Sequence, residues 1–507
     1  MELKLHYAID PTARLTRYQV EAYFFIPQTL GVNSYTYGRE EFFADVHAYI
    51  RFRTPLHPLH TLADASNPDS ALGRVHAALQ DGERDEISSA LRMLACLVRA
   101  SSRDAVRGLV RRIERLQERP GEHQVLLDDL RRGVDSLVDV ARTLLGRFRE
   151  SRPVFLHPQS PSWQHELYEY TDEALSVFLE AHLTKLLAAL DRSDTLREAV
   201  LEPRANLVAL IIAEQNHRRA ADYVTVVDSG RPDGAYVHRR GMLKKFISSV
   251  LFLELSKELE GQRLAQFGAA MAAGVAMLLS TVLAIWSQQV YGVNTFPFVV
   301  ALVLGYMLKD RIKDWLKAYF STKATRWLYD YSVRIYDPMS SVTVGRCRET
   351  FAFLSRARIP TAIWRCRHAD TMGAIETENK REVVMRYVKD VALAGRRIDR
   401  RIARASDISD IVRLDVSRFL VRMDDAKQRV PVYDPDSDQI RTAKLPKRYH
   451  LNVVLVLQAN RKVVQMERFR LVLDKNGIKE LHQVAPTATA AAVAERRAGR
   501  ALQAQRV

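Results

Sequence analysis

Cysteine is scarce. The 507 residues hold three, Cys96, Cys347 and Cys366, too few and too scattered for a disulfide framework, which points to a reducing compartment. Enzyme signatures are missing as well: the chain has no Gly-rich phosphate loop, no GxSxG elbow and no HExxH pair. P-loop nucleotide hydrolases, α/β-hydrolases and zincin proteases are thereby excluded. Collagen-like, repeat-solenoid and small secreted classes find no support in the composition either.

The absence that says most is of charge. Residues 264–308 contain no Asp, Glu, Lys, Arg or His, although 27% of the chain is charged. A crossing needs about 20 predominantly apolar residues to cover roughly 30 Å of hydrocarbon. The stretch therefore fits two crossings, at 266–286 and 292–308, joined by the polar but uncharged SQQVYGVNTF. Trp286, Tyr291 and Tyr306 lie near the span ends, where amphipathic rings are favoured. The competing reading is a buried helical hairpin in a soluble core, but soluble cores rarely avoid charge for so long.

Flanking cations give the orientation. Lys244, Lys245, Lys257 and Arg263 precede the stretch, and Lys309, Arg311, Lys313, Lys317, Lys323 and Arg326 follow it, whereas the turn holds none. Cations stay on the cytoplasmic side, so the sequence predicts a multi-pass protein of the inner (cytoplasmic) membrane with both termini cytoplasmic. The opening MELKLHYAID has no apolar core of the kind a signal peptide requires, which agrees. Small residues recur four apart at Gly268 and Ala272, Ala270 and Gly274, and Ala301 and Gly305. Such stripes let helices approach closely in lipid, either within the hairpin or between copies in a homo-oligomer. No ionisable side chain lies within the spans, so a transporter with its own intramembrane site is not expected; a pore would need several chains.

What is present around this stretch is the composition of a folded protein, 47% hydrophobic, of two or three domains. Leu3, Leu5 and Tyr7, then Tyr18, Val20, Ala22, Phe24 and Ile26, alternate with mostly polar neighbours and predict an antiparallel strand pair, backed by a helix over 39–50. Together they make a small β element at 1–55. Helical spacing then runs through 56–235 and predicts a cytoplasmic domain of five to seven helices. An amphipathic juxtamembrane helix is expected at 236–263, the transmembrane hairpin at 264–308, and a helical extension of the second span at 309–337. Beyond, Val412, Leu414 and Val416 alternate, Phe419, Val421 and Met423 alternate in opposite phase, and Asn476-Gly477 is a two-residue hairpin signal. These predict a basic, antiparallel β-rich domain at 338–484, followed by a low-complexity tail at 485–507. The fold class is thus an α+β membrane protein with a two-span helical hairpin between a mainly α-helical N-terminal cytoplasmic domain and a β-rich C-terminal one.

Charge is uneven. Residues 309–507 hold 41 Lys+Arg against 23 Asp+Glu, whereas the first 308 residues hold 35 against 37. One use of the excess is docking on anionic lipid headgroups of the inner leaflet; another is nucleic acid or a phosphorylated ligand. A solvated, Arg-rich surface is the plain alternative, since Arg outnumbers Lys 59 to 17. The densest patch puts Arg397, Arg400, Arg401 and Arg404 on one helix face, without the interleaved aromatics that base stacking needs.

Catalytic candidates are sparse. Asp415 followed by Asp425 and Lys427 has the outline of a magnesium-dependent nuclease centre, two carboxylates for the metal and a Lys for developing charge. Asp434-Pro435-Asp436-Ser437-Asp438 opens like a calcium loop, but Gln439 and Leu445 stand where Gly and Glu belong, so a polar turn is expected. Cys347, Cys366 and His368 lack the paired spacing of structural zinc, and His57 and His60 lie in a Pro-rich loop without a nearby carboxylate. Cys96 falls on an apolar helical face and reads as core. No metal or cofactor is expected. The sequence therefore favours a membrane-anchored, cytoplasm-facing scaffold or sensor that acts through a protein partner or a polyanion such as lipid phosphate. The alternatives are a tethered nuclease-like enzyme and an oligomeric membrane-perturbing effector.

Overall fold

Strand β1 (Glu2–Ala8) and strand β2 (Thr16–Pro27) do not pair with each other. In the computed structural model, which describes all residues except 10–12, 65–66, 119–122, 193, 227–233, 259, 293–294, 328, 339–341, 370–381, 398–406, 437 and 485–507, each joins a different sheet. The later strands are β3 (Val46–Phe52), β4 (Glu254–Glu258), β5 (Tyr331–Asp337), β6 (Val342–Leu354), β7 (Glu382–Leu393), β8 (Asp407–Leu414), β9 (Lys427–Asp434), β10 (Gln439–Pro446), β11 (Tyr449–Ala459), β12 (Lys462–Asp474) and β13 (Gly477–Val484). Their spatial orders are β1-β8-β3, β10-β9 and β13-β12-β11-β2-β7-β6-β5-β4.

The reason lies in β2 itself. Phe24 and Ile26 enter one core, and Tyr23 and Phe25 enter another on the opposite face. A strand that is apolar on both faces belongs inside a covered sheet, and β2 sits between β11 and β7, with Phe24 opposite both Val453 and Met385. β1 runs antiparallel to β8, from Glu2 opposite Arg413 to Ala8 opposite Asp407. The expected small element at 1–55 and the β-rich C-terminal part therefore share both large sheets.

Among the described residues nine helices follow the first strands up to Ala220: α1 (Arg39–Asp45), α2 (Leu59–Leu62), α3 (Ala71–Asp81), α4 (Arg84–Glu118), α5 (His123–Glu150), α6 (Arg152–Phe155), α7 (Ser162–Leu190), α8 (Asp194–Ala199) and α9 (Leu201–Ala220). The helix expected over 39–50 stops at Asp45, and the chain goes on as β3 because Val46, Ile50 and Phe52 alternate into the core. Leu91, Leu94, Val98, Leu130, Val134, Leu137 and Leu144 are buried at helical spacing, the amphipathic pattern that drives helix packing. One continuous core joins these helices to Tyr7, Val20, Ile50, Val391 and Leu393 of the sheets. Helices and the three-stranded sheet thus cover one face of the eight-stranded sheet.

Next, α10 (Gly234–Ser248) is shorter than the juxtamembrane helix expected at 236–263. Leu243, Ile247, Val250 and Leu251 are buried, so the apolar face seats on the helical core and not on a membrane surface. Glu254–Glu258 then forms β4, the sheet edge.

Helices α11 (Glu260–Tyr291) and α12 (Phe296–Trp327) pack along each other. Phe267–Tyr291 is long and apolar enough to cross a membrane. The apolar part of α12, residues 296–308, spans about 20 Å before Lys309, so by length and composition α11 alone qualifies among the described residues. The extension expected at 309–337 ends with α12 at Trp327, since Val333 and Ile335, buried on either side of exposed Arg334, make β5. β5 pairs with β4 on one side and β6 on the other.

Two further helices follow among the described residues, α13 (Thr361–His368) and α14 (Ser417–Leu420). The latter replaces the opposite-phase strand expected around Phe419, whose ring is fully buried beside Met423. At Asn476-Gly477 the chain turns from β12 into β13, with Gly477 at φ +126°. A turn at Pro435-Asp436 follows β9, and the Tyr433 hydroxyl donates to Asp438, which precedes β10, at 2.7 Å.

Candidate functional site

Side chains alternate across a strand and directly opposed residues share a face. On the face of the eight-stranded sheet away from the three-stranded one, Arg17 (β2) and Arg346 (β6) both lie opposite Ala392 (β7). One step along, Gln19 and Arg348 lie opposite Asp390. Arg14, before β2, and Arg396, just past β7, extend the group. These five arginines and Asp390 line a cavity of about 770 Å³ whose floor is Gly345, Ala392 and Ala394. Small residues leave the depth, and the guanidinium groups reach over it.

The wall is ordered by specific bonds. Arg17 Nε lies 3.2 Å from the Asp390 carboxylate, and the Tyr329 hydroxyl donates to the same carboxylate at 3.3 Å. The Arg348 guanidinium stacks on the Tyr329 ring, 5.1 Å from its centroid. Arg346 Nε donates to Ser332 Oγ at 2.6 Å. Tyr329 and Ser332 belong to the few residues that leave α12 and start β5. The described lining residues include five guanidinium groups and one carboxylate, and Arg suits the planar oxygens of phosphate and carboxylate. Compared with protein-family models, curated proteins and solved structures, the chain matches none.

The opposite face of the same strands is buried and ionic. Lys389, next to Asp390 but pointing the other way, donates to Asp410 at 2.6 Å and lies 4.0 Å from Glu349. Asp410 sits on β8, the middle strand of the three-stranded sheet, so the pair bolts the two sheets together. Burial alone would lower the Lys389 pKa, but the facing Asp410, Cys347 and Glu349 raise it overall. The Tyr387 hydroxyl donates to Glu349 at 2.9 Å, and burial pushes that phenol up. Lys389 and Asp410 are respectively 1% and 0% exposed, too enclosed for substrate, and the cluster is structural.

The residues singled out from sequence are scattered. Asp415 accepts from the backbone N–H and the hydroxyl of Ser417, starting α14. Asp425 pairs with Lys475 at 3.1 Å, and Lys427 starts the β9–β10 hairpin opposite Pro446. Among the described residues no hydrogen bond or ion pair joins any two of the three. Arg397 ends a short turn after β7, and Arg400, Arg401 and Arg404 lie outside the described residues. Gly268 and Ala272 are buried against the hairpin partner, Ala301 is half-buried, and a methyl on Gly305 would stand 3.1 Å from Leu283. Ala270 and Gly274 face outward. Cys96 donates to the Ile247 carbonyl, and burial pushes its thiol up to about 12, the state of an inert core cysteine. Among the described residues no three His, Cys, Asp or Glu side chains gather as a metal site.

Sequence inspection missed Arg14, Arg17, Arg346 and Arg348. No local run marks them, because strand pairing alone brings residue 17 beside residue 346.

Proposed function

We propose that this protein is a membrane-anchored scaffold or sensor, facing the cytoplasm, whose arginine cavity reads anionic lipid headgroups at the inner leaflet. The observation that carries the reading is where the apolar hairpin is inserted. It leaves the sheet after β4 and returns at β5, and these strands pair directly, Glu258 opposite Ser332. Whatever depth α11 reaches, α12 must undo, so an odd number of crossings is incompatible with the sheet. A two-span hairpin with both termini in the cytoplasm satisfies this. It also accounts for the exposure of Met277, Leu278, Val282, Ile285, Val303 and Leu304, a bare surface that water would disfavour. The short apolar part of α12 is compatible with a crossing if Lys309 extends toward the headgroups and the bilayer thins locally. The cavity lies on β2, β7 and β6, next to the strands that carry the hairpin, so it is held near the inner leaflet.

Single-cysteine reporters test the anchor, since Cys96, Cys347 and Cys366 are all buried. Thr295→Cys, between α11 and α12, is labelled by a membrane-impermeant maleimide from outside intact cells. Lys479→Cys, on β13, is labelled only after the cells are opened. Labelling of both from the same side removes the two-span anchor. For the lipid reading, the full chain is compared in nanodiscs of anionic and of zwitterionic lipid by hydrogen exchange. Slower exchange at β6 and β7 in the anionic discs is expected, and equal exchange refutes it.

A further inference from the structure

We infer that the slot between the two large sheets is a binding site for the end of a linear aliphatic chain. The site is separate from the arginine cavity and does not rest on the membrane reading. The three-stranded sheet lies over β2, β11 and β12 of the eight-stranded one. Between them is a cavity of about 140 Å³, with Phe24, Val453 and Leu471 on its floor and Leu3, Val412 and Leu414 on its roof. Leu3 is half-buried and the other five are buried.

The lining offers nothing to a polar ligand. Tyr387 contributes its ring, and its hydroxyl is committed to Glu349. Glu2 and Lys4 are the only charged residues in the described lining, and strand alternation turns their side chains to the face opposite Leu3. On that face Glu2 accepts from Arg413 at 2.6 Å. An apolar cavity of this size stays dry and takes up hydrocarbon, which excludes water, ions and sugars as occupants. Left empty, its walls forfeit the dispersion contacts that close packing gives.

Shape narrows the class further. β1 is an edge of the upper sheet and β13 an edge of the lower one. Leu481 and Ile478 of β13 lie opposite Leu471 and Leu473, hence on the same face. Yet they are 61% and 40% exposed, whereas Leu471 and Leu473 are buried, so the upper sheet stops short of β13. Leu481 also lines the cavity, and the apolar floor thus runs outward as a lip. The enclosed volume is below that of ordinary small-molecule sites and holds no bulky ring system. A linear chain seats its last few carbons inside, lies over Leu481 and Ile478, and leaves its polar head in solvent.

The test uses the full chain in zwitterionic nanodiscs and two photoreactive probes. One is a free fatty acid with a diazirine at its terminal carbon; the other is a phosphatidylcholine with the same group at the end of one chain. Adducts are mapped by peptide mass spectrometry and are expected on residues 453–455 or 469–471. Labelling by the fatty acid alone identifies a free chain as the occupant; labelling by the phospholipid as well identifies a chain drawn from the bilayer. Ala22→Leu, which fills the cavity from β2 and leaves the lip as it is, lowers these adducts at least about tenfold. It melts no lower than the parent, because the added atoms enter empty space. Leu481→Glu puts a charge on the lip at an exposed position and lowers the adducts by about as much. Adducts on the exposed Met277 of α11 report delivery of both probes and are the same in every variant. Met277 labelling without cavity adducts, or cavity adducts unchanged in both variants, overturns the inference. Neither result touches the two-span anchor, which the maleimide reporters test by themselves.

Discussion

If the hairpin is an appendage on a finished sheet, it can be excised. The perturbation removes α11 and α12, residues 260–327, and joins β4 to β5 through a short loop containing Asn-Gly. The pairing of Glu258 with Ser332 and of Glu254 with Tyr336 already sets the ends at hairpin spacing, so the new loop requires no strand movement. Closing a loop of about four residues in place of about 70 saves roughly four doublings of length, about 2 kcal/mol of chain entropy at about 0.6 kcal/mol each. Against this stands the loss of limited packing of α11 on β5, since the two helices mainly contact each other. The balance is a fold at least as stable as the parent. It also lacks the exposed band from Phe267 to Leu308. After cell breakage without detergent, the excised chain appears in the soluble fraction, runs as one species on gel filtration and keeps mixed helix and sheet circular dichroism, while the intact chain pellets with membranes. An excised chain that still pellets, or that unfolds, refutes the claim that the sheet is complete without its anchor.

Three further outcomes follow from particular side chains. His182 bonds Ser102 at 2.8 Å, and burial, with Lys185, Arg99 and Arg103 nearby, pushes its pKa down to about 4. Below pH 6.5 the unfolded chain therefore takes up a proton that the fold refuses, so stability falls as pH drops toward 4, by about 2 kcal/mol at pH 5. Urea titrations should show a gentler decline between pH 7 and pH 5 for His182→Gln, and identical slopes would rule this out. Lys389→Met strands the Asp410 carboxylate between the sheets and costs about 3–5 kcal/mol. Adding Asp410→Asn recovers much of that, and a double variant no more stable than the single one contradicts the pairing. Gly345→Ala places a methyl 2.5 Å from the Ala392 carbonyl oxygen, a clash worth about 1–3 kcal/mol. Gly274→Ala, with nothing within 4 Å, leaves the melting temperature in place; equal effects would show that the β6–β7 approach is looser than it looks.

Local pattern made the elements legible and left their partners obscure. The long helices, the Asn476-Gly477 turn, the alternation of Leu3, Leu5 and Tyr7 and the charge-free stretch could all be read, because each depends on spacing within a few residues. The destination of β2 could not: its apolar run from Ala22 to Ile26 shows a strand covered on both faces, but not that β11, more than 400 residues later, covers one edge. For the same reason sequence points to the contiguous run from Arg396 to Arg404 as a polyanion patch, whereas among the described residues the cavity draws Arg396 from it and takes its other arginines from segments more than 300 residues apart. The corrections at 236–263 and 309–337 share another cause. An amphipathic face does not say whether lipid or protein will cover it, and here the helical core takes Leu243 and Ile247 while the sheet takes Val333 and Ile335.

The same non-local assembly places the proposed anchor and the proposed anion site in mechanical series. Only the short segment from Tyr329 to Ser332 separates the end of α12 from the sheet, and both of its ends are bonded into the cavity wall, Tyr329 to Asp390 and Ser332 to Arg346. An anion that takes over Arg346 competes with the Ser332 bond, and one that draws Arg17 away from Asp390 alters the carboxylate on which Tyr329 rests. Each event acts where the chain passes from the apolar hairpin into β5, at the edge of a sheet whose interior is fixed by the Lys389–Asp410 pair. The buried Lys389–Asp410 pair lies behind the cavity, and the segment from Tyr329 to Ser332 lies between it and the hairpin. On the proposed reading, strain from anion binding is directed toward the hairpin, as a sensor requires and a passive tether does not.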